Sequence, residues 1–167
     1  MASDLQQWLI QEALRNQAYH NHKETMAWTA TAFYIPGIIA LGYKIPKISE
    51  CWLLLVASVL LIGVGVLVGF FVHFQFYNRW IATDRVAGLI RTIGRLSSGW
   101  IPPIDEQQTE QGKLYPKFVE AQIVEAKGLA EKRWQVEWIS YAAIALSTIL
   151  AIGLILWKYY SPSSLNA

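Results

Sequence analysis

The chain has 167 residues, a formal net charge of +2, a 54% hydrophobic composition and a single cysteine, Cys51. One cysteine excludes an intrachain disulfide, and the absence of basic tracts argues against a nucleic-acid partner. The opening MASDLQQWLIQEALRNQ has no basic stretch followed by an apolar core, so it reads as no signal peptide, and neither end carries a lipidation motif.

Residues 1–25 predict a cytoplasmic amphipathic helix. Ser3 followed by Gln6 has capping-box spacing, and Leu5, Trp8, Leu9 and Ala13 form an apolar stripe widened by Ile10, Leu14 and Ala18. The first span follows over 26–43, MAWTATAFYIPGIIALGY. Pro36 cannot donate to the carbonyl of Ala32, so a kink is expected at Pro36–Gly37. A short turn through Lys44-Ile-Pro-Lys47 then forces an antiparallel hairpin.

The second span, 51–77, contains the uncharged run Cys51–Val72. About 20 apolar residues at about 1.5 Å each match the hydrocarbon thickness of a bilayer. Its helix is expected to continue past Tyr77, because Val86, Leu89, Ile90, Ile93 and Leu96 keep a 3–4 spacing with Arg91 and Arg95 on the other face. Ser97-Ser98-Gly99 supplies a glycine C-cap, and 97–115 reads as a polar linker around a Pro-Pro pair. Pro116 can open a last helix. Val119, Ile123, Ala126 and Ala130 line one stripe, and Lys127–Glu131 and Arg133–Glu137 stand at i,i+4. No breaker separates this stretch from the third span, 137–158, so one helix is expected from about Pro116 to about Tyr160. Residues 78–136 then make a cytoplasmic helical hairpin. The fold class is an all-α membrane protein, one helical membrane domain of three transmembrane helices with long cytoplasmic extensions.

Topology follows from charge. Arg15, Lys23, Arg79, Arg85, Arg91, Arg95, Lys113, Lys117, Lys127, Lys132 and Arg133 fall on the side of the N-terminus, against Lys44, Lys47 and Lys158 on the other. The positive-inside rule places the N-terminus in the cytoplasm and the C-terminus outside the cell membrane. Aromatic belts agree, with Trp28, Tyr77, Trp80, Trp134 and Trp138 inside and Tyr43, Trp52, Trp157, Tyr159 and Tyr160 outside.

Candidate functional residues are few. Gly65-Val-Leu-Val-Gly69 is a GxxxG. With Ser58 it offers a small-residue face, and Ala143, Ser147 and Ala151 repeat every four residues on the third span. Both faces are candidates for helix packing or a homo-oligomer interface. Glu137 is the acid nearest a span and a candidate for a cation-selecting pore mouth, with pairing to Arg133 as the alternative. Thr29, Thr31, Ser140, Ser147 and Thr148 either line a polar path or bond their own helices. Arg79, Arg85, Arg91 and Arg95 are candidates for lipid-headgroup contact. His20 and His22 have the wrong spacing for a metal pair, His73 stands alone, and no nucleophile–base set or phosphate loop is present. No catalytic residue, cofactor or metal is expected. The absence of an ionisable residue deep in a span argues against a pump or coupled carrier but leaves a pore gated by dewetting.

These residues support a homo-oligomeric channel or membrane-permeabilising pore controlled by the cytoplasmic helices. The alternative is a membrane anchor or scaffold that docks a cytoplasmic protein partner. The layout, a membrane hairpin with cytoplasmic helices, resembles small prokaryotic defence-associated effectors of the SLATT type, from which the third span departs. That resemblance carries the expectation of an effector.

Overall fold

The computed structural model describes residues 2–127 and 135–161, with side chains described over 4–127 and 137–161. Within these residues the protein is helical without strands: α1 Ala2–Lys44, α2 Cys51–Ser97, a 3-10 turn at Ile104–Glu106, α3 Lys117–Lys127 and α4 Gln135–Tyr160. Helices α1, α2 and α4 are each long and apolar enough to cross a membrane. The expected single helix from Pro116 to Tyr160 turns on 128–134, outside the described residues. The Ser3 cap, Ala130 and the Arg133–Glu137 pair also lie outside the described side chains.

The helix boundaries have local causes. α1 carries Asp4 in its first turn and Lys44 in its last, matching the helix dipole. Pro36 lies inside α1, which continues through it as one helix. α2 ends in a Schellman motif: Gly99 sits at φ +86°, Trp100 N–H donates to Arg95 C=O at 3.1 Å and Gly99 N–H to Leu96 C=O at 3.1 Å. The stretch read as a bare linker contains the 3-10 turn, and Gln107 Nε2 fastens it by donating to Pro102 C=O at 2.9 Å.

The chain divides into two compact units. The first joins Met1–Glu24 to Phe76–Trp134. Its core is Leu9, Leu89, Tyr115, Phe118, Val119 and Ile123, edged by Leu5, Ala13, Ile93, Leu96 and Trp100. The three stripes read from periodicity meet here. Leu9, Leu89 and Val119 are fully enclosed, each worth about 1.5–3 kcal/mol of apolar burial. Ile10, Leu14 and Ile90, placed on the stripes by spacing, stay exposed because the packed face is narrower than the apolar arc. Polar contacts fix an antiparallel register of α1 on α2. Gln6 Nε2 donates to Ser97 Oγ at 2.9 Å, His20 Nδ1 lies 2.9 Å from Thr83 Oγ1, and Arg79 Nε lies 3.5 Å from Glu24 Oε2. At Gly88 a Cβ would lie 2.7 Å from Ile123 Cα, so α2 and α3 touch nearly backbone to backbone.

The second unit joins Thr25–Gln75 to Gln135–Ala167. Three helical segments pack together, α4 parallel to α1 and antiparallel to α2. Tyr34 meets Thr148 and Gly42 meets Ala151, while Gly65 meets Thr148 and His73 meets Tyr141.

Candidate functional site

The most densely specified part of the second unit is the crossing of its three helices. The Tyr34 hydroxyl lies 2.7 Å from Thr148 Oγ1, and a Cβ on Gly65 would come within 2.9 Å of both oxygens. Thr148 Oγ1 also donates to Ile144 C=O at 2.7 Å, so the Tyr34 hydroxyl donates to Thr148. Burying a phenol in an apolar bundle requires such a partner, and only glycine on α2 leaves room for it. Further along, α1 and α4 approach so closely at Gly42 that a Cβ would lie 2.8 Å from the Ala151 carbonyl oxygen. Lys158 closes this end. Its Nζ donates to Ile45 C=O at 2.9 Å and also to Tyr43 C=O, satisfying carbonyls that the end of α1 leaves open.

The predicted packing residues therefore separate. Gly65 and Ala151 are buried in contacts within one chain, and Ser147 is buried with its Oγ bonded to Ile144 C=O at 3.0 Å. Ala143 is half-buried. Ser58 is half-buried and bonds Leu54 C=O at 2.9 Å. Gly69 has nothing within 4 Å of a Cβ and borders a shallow cleft with His73 and Tyr141. The close approach uses one glycine of the GxxxG, not both. Pro36 and Gly37 are exposed, and Gly37 likewise has open space at its Cβ position.

The polar residues of the spans mostly turn inward. Thr31 Oγ1 donates to Ala27 C=O at 3.0 Å, and the hydroxyls of Ser147 and Thr148 are bonded to α4 itself. This is the helix-satisfying role expected of such groups in an apolar medium. Thr29 alone of the predicted polar set is exposed. Glu137 is 2% exposed, so its carboxyl is enclosed by its own chain. Ser140, a turn later on the same helix, is fully buried, and neither its Oγ nor Gln75 Oε1 has a hydrogen-bond partner among the described residues. His73 Nδ1 lies 3.0 Å from Tyr141 Oη.

Arg79, Arg85, Arg91 and Arg95 belong to the first unit. Arg79 is paired with Glu24, while Arg91 and Arg95 reach Glu125 at 3.4 and 4.0 Å. Such exposed pairs are worth about 0–1 kcal/mol each, but they reduce the charge left for lipid. Arg85 instead lines a cleft with Tyr115. Among the described residues no group of three His, Cys, Asp or Glu side chains is arranged to hold a metal, and Cys51 is exposed.

Spacing did not reveal Tyr34, Gly42 and Gly88 as contact residues. Gly42 falls near the end of the first span and Tyr34 within its apolar run. Gly88 left one signal, a glycine inside an otherwise strongly periodic helix beside the buried Leu89. Tyr115 was hidden in the linker, where periodicity has no reach. Against family models, curated proteins and solved structures, the chain finds no match.

Proposed function

We propose that the chain is a multi-pass protein of the cell membrane, N-terminus in the cytoplasm and C-terminus outside, whose copies form a channel or permeabilising pore controlled by its cytoplasmic helices. The observation that carries this reading is helix continuity. α1 has 43 residues and α2 has 47, about 65 and 70 Å at 1.5 Å per residue. Each contributes residues to both compact units. Helices shared by both units are a route by which a shift of a helix in one could reach the other. The apolar outer surface of α2 supports association: only 17% of its most apolar window is buried within the chain.

The second reading, an anchor or scaffold for a cytoplasmic partner, is favoured by a different observation. Ser147, Thr148, Ser140 and Glu137 are buried inside the protomer, which leaves mainly apolar side chains for lipid or a neighbouring copy. A pore between copies would then gate by dewetting rather than through a polar lining.

Purified protein in dye-loaded liposomes tests the choice. The pore reading expects dye release from an oligomer, with a rate altered by Gly88→Leu, which disturbs only the first unit. A folded oligomer that stays tight with and without that substitution would overturn the pore and leave the anchor. Impermeant labelling of cysteines placed at 107 and 164, in a Cys51→Ser background, tests topology. Labelling from outside at 107 but not 164 would reverse it.

A further inference from the structure

Beside the core of the first unit lies a cleft of about 640 Å³, within the usual range of about 300–1,000 Å³ for small-molecule sites. Two kinds of group converge on it. The first is aromatic: Trp8 and Tyr19, 38% and 44% exposed, line the cleft, with Lys23 Nζ 5.0 Å from the Tyr19 ring centre, and Tyr115 packs 6.1 Å from Trp8, ring centre to ring centre. The second is cationic. Arg15, largely exposed, lies 3.3 Å from Glu12. Arg85 lines the same cleft half-buried, with no salt bridge among the described residues.

Buried polar bonds hold the floor in place. Asn16, 8% exposed, donates through Nδ2 to Glu12 C=O at 2.8 Å and to Tyr115 Oη at 3.2 Å. The Tyr115 hydroxyl donates to Glu12 Oε2 at 3.5 Å. The segment around Tyr115 is thereby fastened to α1 through groups that also border the cleft.

A guanidinium that shares a cleft with aromatic side chains and has no salt bridge among the described residues is suited to an anion, because its planar fork pairs with phosphate oxygens. Exposed indole and phenol rings are suited to a flat base, because stacking is sequence-tolerant and strong. We infer that this cleft binds a small anion carrying a flat aromatic ring, of the nucleoside phosphate class, with the phosphate on Arg85 and the base against Trp8 and Tyr19. The site stands on the first unit alone and does not depend on the pore reading.

The test uses the full chain in nanodiscs and a fluorescent N-methylanthraniloyl-ADP probe, read by anisotropy, with unlabelled ADP, adenosine and inorganic phosphate as competitors. Nanodiscs of neutral and of anionic lipid form separate arms. The expected result is saturable binding in neutral lipid, displaced by ADP far better than by adenosine or phosphate. Arg85→Gln should weaken it at least about tenfold, and Arg85→Lys should restore part of it. Circular dichroism and particle size check that the variants fold. The competitor series on the unmodified chain decides the matter even if they do not. No saturable binding, binding unchanged in a folded Arg85→Gln, or equal displacement by phosphate or by adenosine would overturn the proposal. Loss of probe binding in anionic lipid alone would assign the same Arg85 chemistry to competition by headgroups and keep the site. Headgroup binding without any ADP binding would overturn it.

Discussion

Gly88 and Ile123 are in contact at the backbone: a Cβ on Gly88 would lie 2.5 Å from Ile123 Cγ1 and 2.7 Å from its backbone nitrogen. Real Cβ atoms do not approach so closely, so Gly88→Ala must push α3 away from α2. The expected cost is about 1–3 kcal/mol, the range for overpacking a tight core. Gly94 lies six residues further along α2 with nothing within 4 Å. Gly94→Ala should therefore be neutral or stabilise by up to about 1 kcal/mol, through helix propensity. Thermal unfolding of the two variants in one detergent gives the comparison. Equal effects would mean that α2 and α3 do not pack as described.

The GxxxG makes a similar contrast inside the spans. Gly65 faces Tyr34 and Thr148, whereas Gly69 is open. Gly65→Leu should lower the stability of the monomer itself, because it separates three helices of one chain. Gly69→Leu should leave the monomer intact and change particle mass only if copies meet on that face. Unfolding in SDS reads the first effect and native mass measurement the second. Reduced mass with undisturbed monomer stability in Gly65→Leu would place the subunit contact at Gly65 instead.

The three helices long and apolar enough to cross a membrane were legible from their uncharged runs, of which Cys51–Val72 is long enough to match a bilayer's hydrocarbon thickness. The first unit was legible to the extent that Leu5, Leu9, Leu89, Val119 and Ile123 keep the helical period and must share a core. Periodicity names the buried face but not its partner or its width. Leu14 and Ile90 were therefore placed on stripes that the fold leaves exposed. The contacts that fix register, such as Tyr34 with Thr148 or Gln6 with Ser97, join residues distant in sequence and leave no local pattern. The cleft residues were scattered for the same reason. Arg85 carries the same charge in sequence as Arg79, Arg91 and Arg95, and only folding gives those three a carboxylate partner.

The Tyr34–Thr148 bond should be measurable by a double-mutant cycle. Tyr34→Phe and Thr148→Val each remove one side of a buried 2.7 Å interaction. Span hydrogen bonds average about 0.6 kcal/mol and reach about 1.7 kcal/mol. Its burial, and the absence of another hydrogen-bond partner for the phenol among the described residues, put this one in the upper half of that range. Additive single effects would show that Gly65 packs on the ring alone and that the hydroxyls contribute nothing together.

Tyr115 links stability to pH. Burial pushes its phenol above the ordinary value of 10, with the nearby Glu12 carboxylate acting in the same direction, while the Asn16 hydrogen bond and Arg85 oppose them. The folded state therefore holds the phenolic proton more tightly than the unfolded chain does. Where the folded value is the higher one, the stabilisation is fully present below pH 10 and is lost as the pH rises through the folded value. The unmodified chain should lose stability above pH 10 more steeply than Tyr115→Phe, which has no proton to release there. Below that pH the variant should be less stable by about 1 kcal/mol, for the lost bonds to Asn16 and Glu12. Chemical unfolding from pH 8 to 11, followed through the tryptophans, gives both curves. Parallel curves across that window would mean that the phenol is solvated and that the Asn16–Tyr115–Glu12 network does not hold the cleft floor.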